Sequence, residues 1–109
     1  MTEALKREGF GVLTDIDVSA TMKAKLGEDF SPYRILGACN PKLAHRALQL
    51  EDKIGTMLPC NVIVQQHEGG GVEVSAVDPL ASMQAIRNPR LAEVANEAQA
   101  KLKKVVEGL

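Results

Sequence analysis

The sequence predicts an α+β domain of two layers. A mostly antiparallel sheet of about four strands is expected, covered by helices on one face and ending in a long amphipathic C-terminal helix. Three observations lead there. Segments of period-two alternation are separated by turn residues, one pair of them by the hairpin loop His67-Glu68-Gly69-Gly70-Gly71. An acid or amide followed by proline recurs at Asn40-Pro41, Asp78-Pro79 and Asn88-Pro89, which marks three helix starts. The stripe Leu91, Val94, Ala95, Ala98, Leu102, Val105 and Val106 has helical spacing, with Glu93, Asn96, Glu97, Lys103 and Lys104 outside it.

The elements follow in order. Residues 2–8 give only a stub of helix, with Thr2 as N-cap and Gly9 as stop. Phe10 to Ile16 reads as a strand. Asp17 then caps a short helix whose Val18, Met22 and Leu26 recur every four residues, and Gly27 ends it. After the polar stretch Glu28 to Pro32, Tyr33 to Cys39 alternates as a strand. Asn40 can accept a bond from an orphan helical N–H, and Pro41 is pre-set for the first helical position. That helix, to about Glu51, puts Leu43, Ala44, Ala47, Leu48 and Leu50 on one side and Lys42, His45 and Gln49 on the other. Cys60 to Gln66 is a strand with Cys60, Val62 and Val64 on one face. It pairs through the hairpin with Val72, Val74 and Ala76.

A chain of 109 residues holds one domain, spanning 1–109. Its apolar share of 45% with only 3% aromatic residues means an aliphatic core. A net charge of −1 without a single-sign block excludes the concentrated basic surface that nucleic acids and anionic membranes require. The Lys101, Lys103 and Lys104 cluster lies near a helix C-terminus, where cations favour the macrodipole. No apolar stretch approaches the roughly 20 residues of a membrane span. The N-terminus lacks the apolar region of a signal peptide, so a cytosolic location with reduced thiols is expected.

The candidate site rests on two Cys–Asn dipeptides, Cys39-Asn40 and Cys60-Asn61, which hold both cysteines of the chain. Cys39 directly precedes a helix N-cap, where the dipole is expected to lower a thiol pKa. The plainer reading makes Cys39 a hydrophobic staple against Ala44. Cys60 shares a strand face with Val62 and Val64, which predicts burial as a small hydrophobe. If the two element starts lie side by side, the thiols could hold a soft metal, pass sulfur, bind a small ligand or form a regulatory disulfide. Asn40 and Asn61 join them as ligand-binding candidates. The spacing matches no zinc-ribbon or Cys-x-x-Cys pattern. His45 could complete a metal site with Cys39 and Cys60, although the helical wheel places it on the polar side. His67 lies at the hairpin. Gly69-Gly70-Gly71 is followed by a β pattern rather than a helix, so it reads as a turn and not as a phosphate loop. No catalytic motif is present and no catalytic residue is assigned.

Three blocks carry a resemblance: Gly9-Phe10-Gly11-Val12-Leu13-Thr14-Asp15-Ile16-Asp17, Tyr33-Arg34-Ile35-Leu36-Gly37-Ala38-Cys39-Asn40-Pro41, and Leu58-Pro59-Cys60-Asn61-Val62. With Ala76-Val77-Asp78-Pro79 and the terminal helix, they resemble the bacterial and archaeal family catalogued only as domain of unknown function 302. The resemblance implies a small α+β domain and a homodimer, with no established activity, substrate or cofactor. It also implies that an N-terminal strand and part of the first helix are missing here, and we expect the true start to lie upstream of Met1. Intact mass from the native source checks this.

Three functions compete. The first is a binding or carrier module in which Cys39 and Cys60 hold a soft metal, sulfur or a small ligand. The second is a structural or interaction homodimer whose cysteines only pack. A thiol-disulfide enzyme, with Cys39 attacking and Cys60 resolving, comes last because no general base is evident.

Overall fold

The computed structural model describes residues 2–83, 86 and 88–109. Met1, on which the expectation about the start rests, lies outside them. The elements are α1 (Thr2–Arg7), β1 (Gly11–Asp17), α2 (Val18–Leu26), β2 (Tyr33–Cys39), α3 (Pro41–Leu50), a 3-10 turn (Asp52–Met57), β3 (Cys60–Gln66), β4 (Val72–Ala76), α4 (Pro79–Met83) and α5 (Leu91–Glu107). The strands lie in the order β1-β2-β3-β4, each antiparallel to the next. This is the expected α+β fold with its long C-terminal helix.

Register decides which side chains share a face. Ala38 lies opposite Cys60, and Leu36 opposite Val62, which in turn faces Ala76. These residues form one core cluster with Leu5 of α1, Phe10, and Leu102 and Val105 of α5. Helices α1 and α5 therefore cover that face. A second cluster joins Leu43 and Ala47 of α3, Ile54, Met83, and Leu91, Val94, Ala95 and Ala98 of α5. The predicted stripe of α5 thus serves both clusters, its first half packing on helices and its second half on the sheet. The other sheet face carries Ile16, Ile35 and Ile63 in one row across β1, β2 and β3. Ile16 there is 47% exposed.

Local chemistry fixes the helix ends. Asp17 accepts the Ala20 N–H at 3.0 Å, and Gly27, at φ +69°, closes α2 by donating to the Lys23 carbonyl. Asn40 accepts the Leu43 N–H at 3.3 Å, and Asp78 accepts from Leu80 at 3.0 Å. At the third proline the expectation is two residues early. The Asn88 side chain accepts the Arg90 N–H at 3.1 Å in a turn, and regular helix begins at Leu91.

The expected stub is α1, and it holds its helix despite the cost of nucleation because Leu5 is fully buried in the core. Two further differences have physical causes. The expected apolar face of α2 is not buried, and Leu26 is 68% exposed. Caps rather than packing define that helix. Leu48 of α3 points outward at 45% exposed, since the buried side of the helix runs along Leu43 and Ala47. No helix among the described residues is long and apolar enough to cross a membrane.

Candidate functional site

The two Cys–Asn dipeptides meet at one end of the sheet. Cys39 is the last residue of β2 and Cys60 the first of β3, and Ala38 pairs with Cys60 in the β2–β3 ladder. Between them the chain runs through α3 and the 3-10 turn and returns over the Leu58–Pro59 peptide, which is cis. The two element ends are thus side by side, while the alternation of β2 gives Ala38, not Cys39, the sheet face of Cys60.

Cys39 and Cys60 line one cavity of about 30 Å³, walled by apolar side chains that include Phe10, Leu43, Pro59 and Met83. Cys60 is 8% exposed, whereas Cys39 is half-buried. Both thiols are unbridged. Burial pushes the Cys39 thiol above its ordinary value, and burial followed by the neighbouring Cys39 charge pushes Cys60 up as well. The helix start was expected to lower Cys39, whereas burial moves it the other way.

The asparagines do other work. Asn40 uses its side-chain oxygen as the N-cap of α3 and donates from Nδ2 to the Glu8 carbonyl at 3.3 Å. It thereby ties the end of α1 to the start of α3. Gly9 makes room for this clasp: it sits at φ +84°, and a Cβ there would come within 3.0 Å of Asn40 Nδ2. Asn61 lies opposite Gly37, on the sheet face away from Ala38 and Cys60, with its side chain exposed. Replacing Asn40 with alanine is expected to cost about 1 kcal/mol through the lost cap alone. Urea unfolding checks this, and Asn40→Asp, which keeps the cap but not the donor to Glu8, should recover part of the loss.

His45 stands exposed on the outer side of α3, and His67 pairs with Glu73 at 3.3 Å beside the hairpin. Among the described residues no three of His, Cys, Asp and Glu come together as a metal site. From these residue types, any metal on the thiol pair would have two protein ligands. The sequence reading missed the apolar wall, since Phe10, Leu43 and Met83 look like ordinary core residues until the fold brings them to the sulfurs. A roomier groove, about 370 Å³ between α4 and α5, offers little chemistry. Its Asn88 already donates to the Leu50 carbonyl at 2.8 Å.

The comparisons agree with this architecture. The family model described as "Domain of unknown function DUF302" matches residues 1–109. The crystal structure of an uncharacterized conserved protein DUF302 from Bacillus stearothermophilus superposes with a TM-score of 0.88 at 34% sequence identity. The match covers 97% of this chain and 82% of that one. No curated protein matches the chain. With the family model spanning all 109 residues and a solved relative of the same fold, the chain belongs to the DUF302 family, a domain of unknown function.

Proposed function

We propose that the chain is a carrier or binding module in which Cys39 and Cys60 hold a soft, thiophilic ion as a two-sulfur pair. The observation that carries this reading is the shared cavity of about 30 Å³. An organic ligand needs roughly 300–1,000 Å³, which sets small metabolites aside. A single ion or a single sulfur atom fits that scale. Zinc favours four ligands in structural sites, while a soft ion such as Cu(I) accepts thiolates and low coordination numbers. His45 plays no part, being exposed on the far side of α3. Thiols kept reduced for such a role belong to a reducing compartment, and the reading places the chain in the cytosol.

Binding is a proton exchange. Two S–H bonds break, two S–metal bonds form, and both protons pass to water. Because both thiols are raised from 9.0, they are protonated at neutral pH and the ion competes with two protons. Apparent affinity should therefore climb with pH, by up to about a hundredfold per unit below both pKa values. The test is anaerobic Cu(I) titration against a chromogenic chelator at pH 6, 7 and 8, with maleimide labelling alongside. Retention that steepens with pH, is lost in both Cys39→Ser and Cys60→Ser, and shields the two thiols together supports the module. Cu(I) retention unchanged in either serine variant, or no retention with thiols that label only on unfolding, leaves the cysteines as core residues.

A further inference from the structure

We propose that the Met83 thioether is a third ligand of the soft-ion site, making it a three-sulfur centre that selects Cu(I) over Zn(II). This site rests on the two-thiol reading and adds a ligand that neither Cys–Asn dipeptide contains. Met83 ends α4, is 6% exposed, and lines the same cavity of about 30 Å³ as Cys39 and Cys60. The cavity lies at the seam of the two core clusters. Cys60 belongs to the sheet cluster and Met83 to the helical one, so the site draws sulfur from both layers.

The side-chain atoms around the cavity decide what it can hold. Besides the three sulfurs, Asn40 is the one described residue in its wall with a side-chain nitrogen or oxygen. Both of those atoms are engaged: the oxygen accepts the Leu43 N–H and Nδ2 donates to the Glu8 carbonyl, each at 3.3 Å. The other side chains, Phe10, Leu58 and Val94 among them, are hydrocarbon. Sulfur is a weak hydrogen-bond partner, so the cavity offers a water few of the two to four partners it needs. Thiolate and thioether together form a donor set that selects Cu(I). Zinc takes thiolate, imidazole and carboxylate, and a thioether adds little to its affinity.

Met83 is held by its backbone and free at its side chain. Asp78 fixes the start of α4, accepting from the Leu80 N–H and from Gln99 Nε2 of α5, each at 3.0 Å. The methionine side chain itself has three rotatable bonds and a polarizable sulfur. Met83 also lines the groove of about 370 Å³ between α4 and α5, so it borders both that groove and the thiol cavity. Space on the groove side lets the side chain adjust to an ion without overpacking the core. When the ion binds, the two thiols give their protons to water, whereas the thioether donates a lone pair and releases none.

The test replaces the methionines with selenomethionine and reads selenium X-ray absorption after anaerobic loading with Cu(I). A copper neighbour should appear in the selenium spectrum and vanish in Met83→Leu, which leaves Met1, Met22 and Met57 in place. Leucine conserves the volume, so the fold should hold. Against a chromogenic chelator, Met83→Leu should bind Cu(I) at least roughly tenfold more weakly, a loss seen even for residues that only support a ligand. Its Zn(II) affinity should not change. If the variant fails to fold, the selenium spectrum of the unaltered chain decides. Cu(I) that shields Cys39 and Cys60 but leaves no copper beside selenium overturns the third ligand while the two-thiol site stands. Equal Cu(I) affinity in Met83→Leu does the same. Absence of Cu(I) retention by the unaltered chain removes the two-thiol reading, and the third ligand with it.

Discussion

Replacing Gly37 with alanine is expected to destabilise the domain by about 3 kcal/mol, at the upper end for overpacking. Gly37 is buried in the middle of β2, opposite Thr14 on one side and Asn61 on the other. A Cβ there would collide with Thr14 Oγ1 and approach Pro59 Cγ to 2.8 Å. Neither neighbour yields easily. Threonine is stiff at χ1, and Pro59 is held in a ring between the 3-10 turn and β3. The melting temperature should fall by roughly 10–15 °C for a domain of this size. The double variant Gly37→Ala/Thr14→Ala should recover part of the loss, since it removes the hydroxyl and leaves only the proline contact. Gly55 is the control: a Cβ there meets nothing within 4 Å, so Gly55→Ala should stay within about 1 kcal/mol of the parent. Equal melting temperatures for the parent and Gly37→Ala would show that β2 and the Pro59 segment separate freely.

Leu102→Ala should be as damaging, at about 3 kcal/mol, through a cavity rather than a clash. Leu102 is 2% exposed and belongs to the cluster that holds Phe10, Leu36, Val62 and Cys60. It is where α5 passes from the helical cluster to the sheet, so no single neighbour can move in to fill its place. The loss should be read by urea unfolding with an unchanged m-value, which keeps the effect in the native state. Leu48→Ala, at a leucine that is 45% exposed on α3, should cost less than about 1 kcal/mol. Because Cys60 shares the cluster with Leu102, native maleimide labelling of Cys60 should also speed up in Leu102→Ala. An unchanged labelling rate together with full destabilisation would mean that the cavity opens away from the sulfurs.

Much of the fold was written in local chemistry. Asp17 and Asn40 cap the helices they were expected to cap, and the alternation in Tyr33–Cys39 and Cys60–Gln66 is that of paired strands. The long stripe from Leu91 to Val105 is buried almost throughout. Such features depend on residues within a turn or two of each other. Where the expectation slipped, a distant partner decided. The stripe expected on α2 finds no burial, and its Leu26 stays 68% exposed.

The same division applies to the candidate site. From the sequence came the two Cys–Asn dipeptides, their placement at element ends, and the family to which the chain belongs. The sequence also gave an expected direction for the Cys39 pKa, and that direction was reversed. A thiol pKa follows the balance between the helix dipole, which is local, and desolvation, which depends on what packs over the sulfur. Here the packing comes from Phe10 and from Met83, Val94 and Ala98 far along the chain. Strand pairing likewise brings the end of β2 that carries Cys39 beside the start of β3 at Cys60, because register is set by the faces of the whole sheet. Sequence determined the elements and the residue types. Which residues wall the two cysteines and how tightly the thiols hold their protons were decided only when the layers closed on each other.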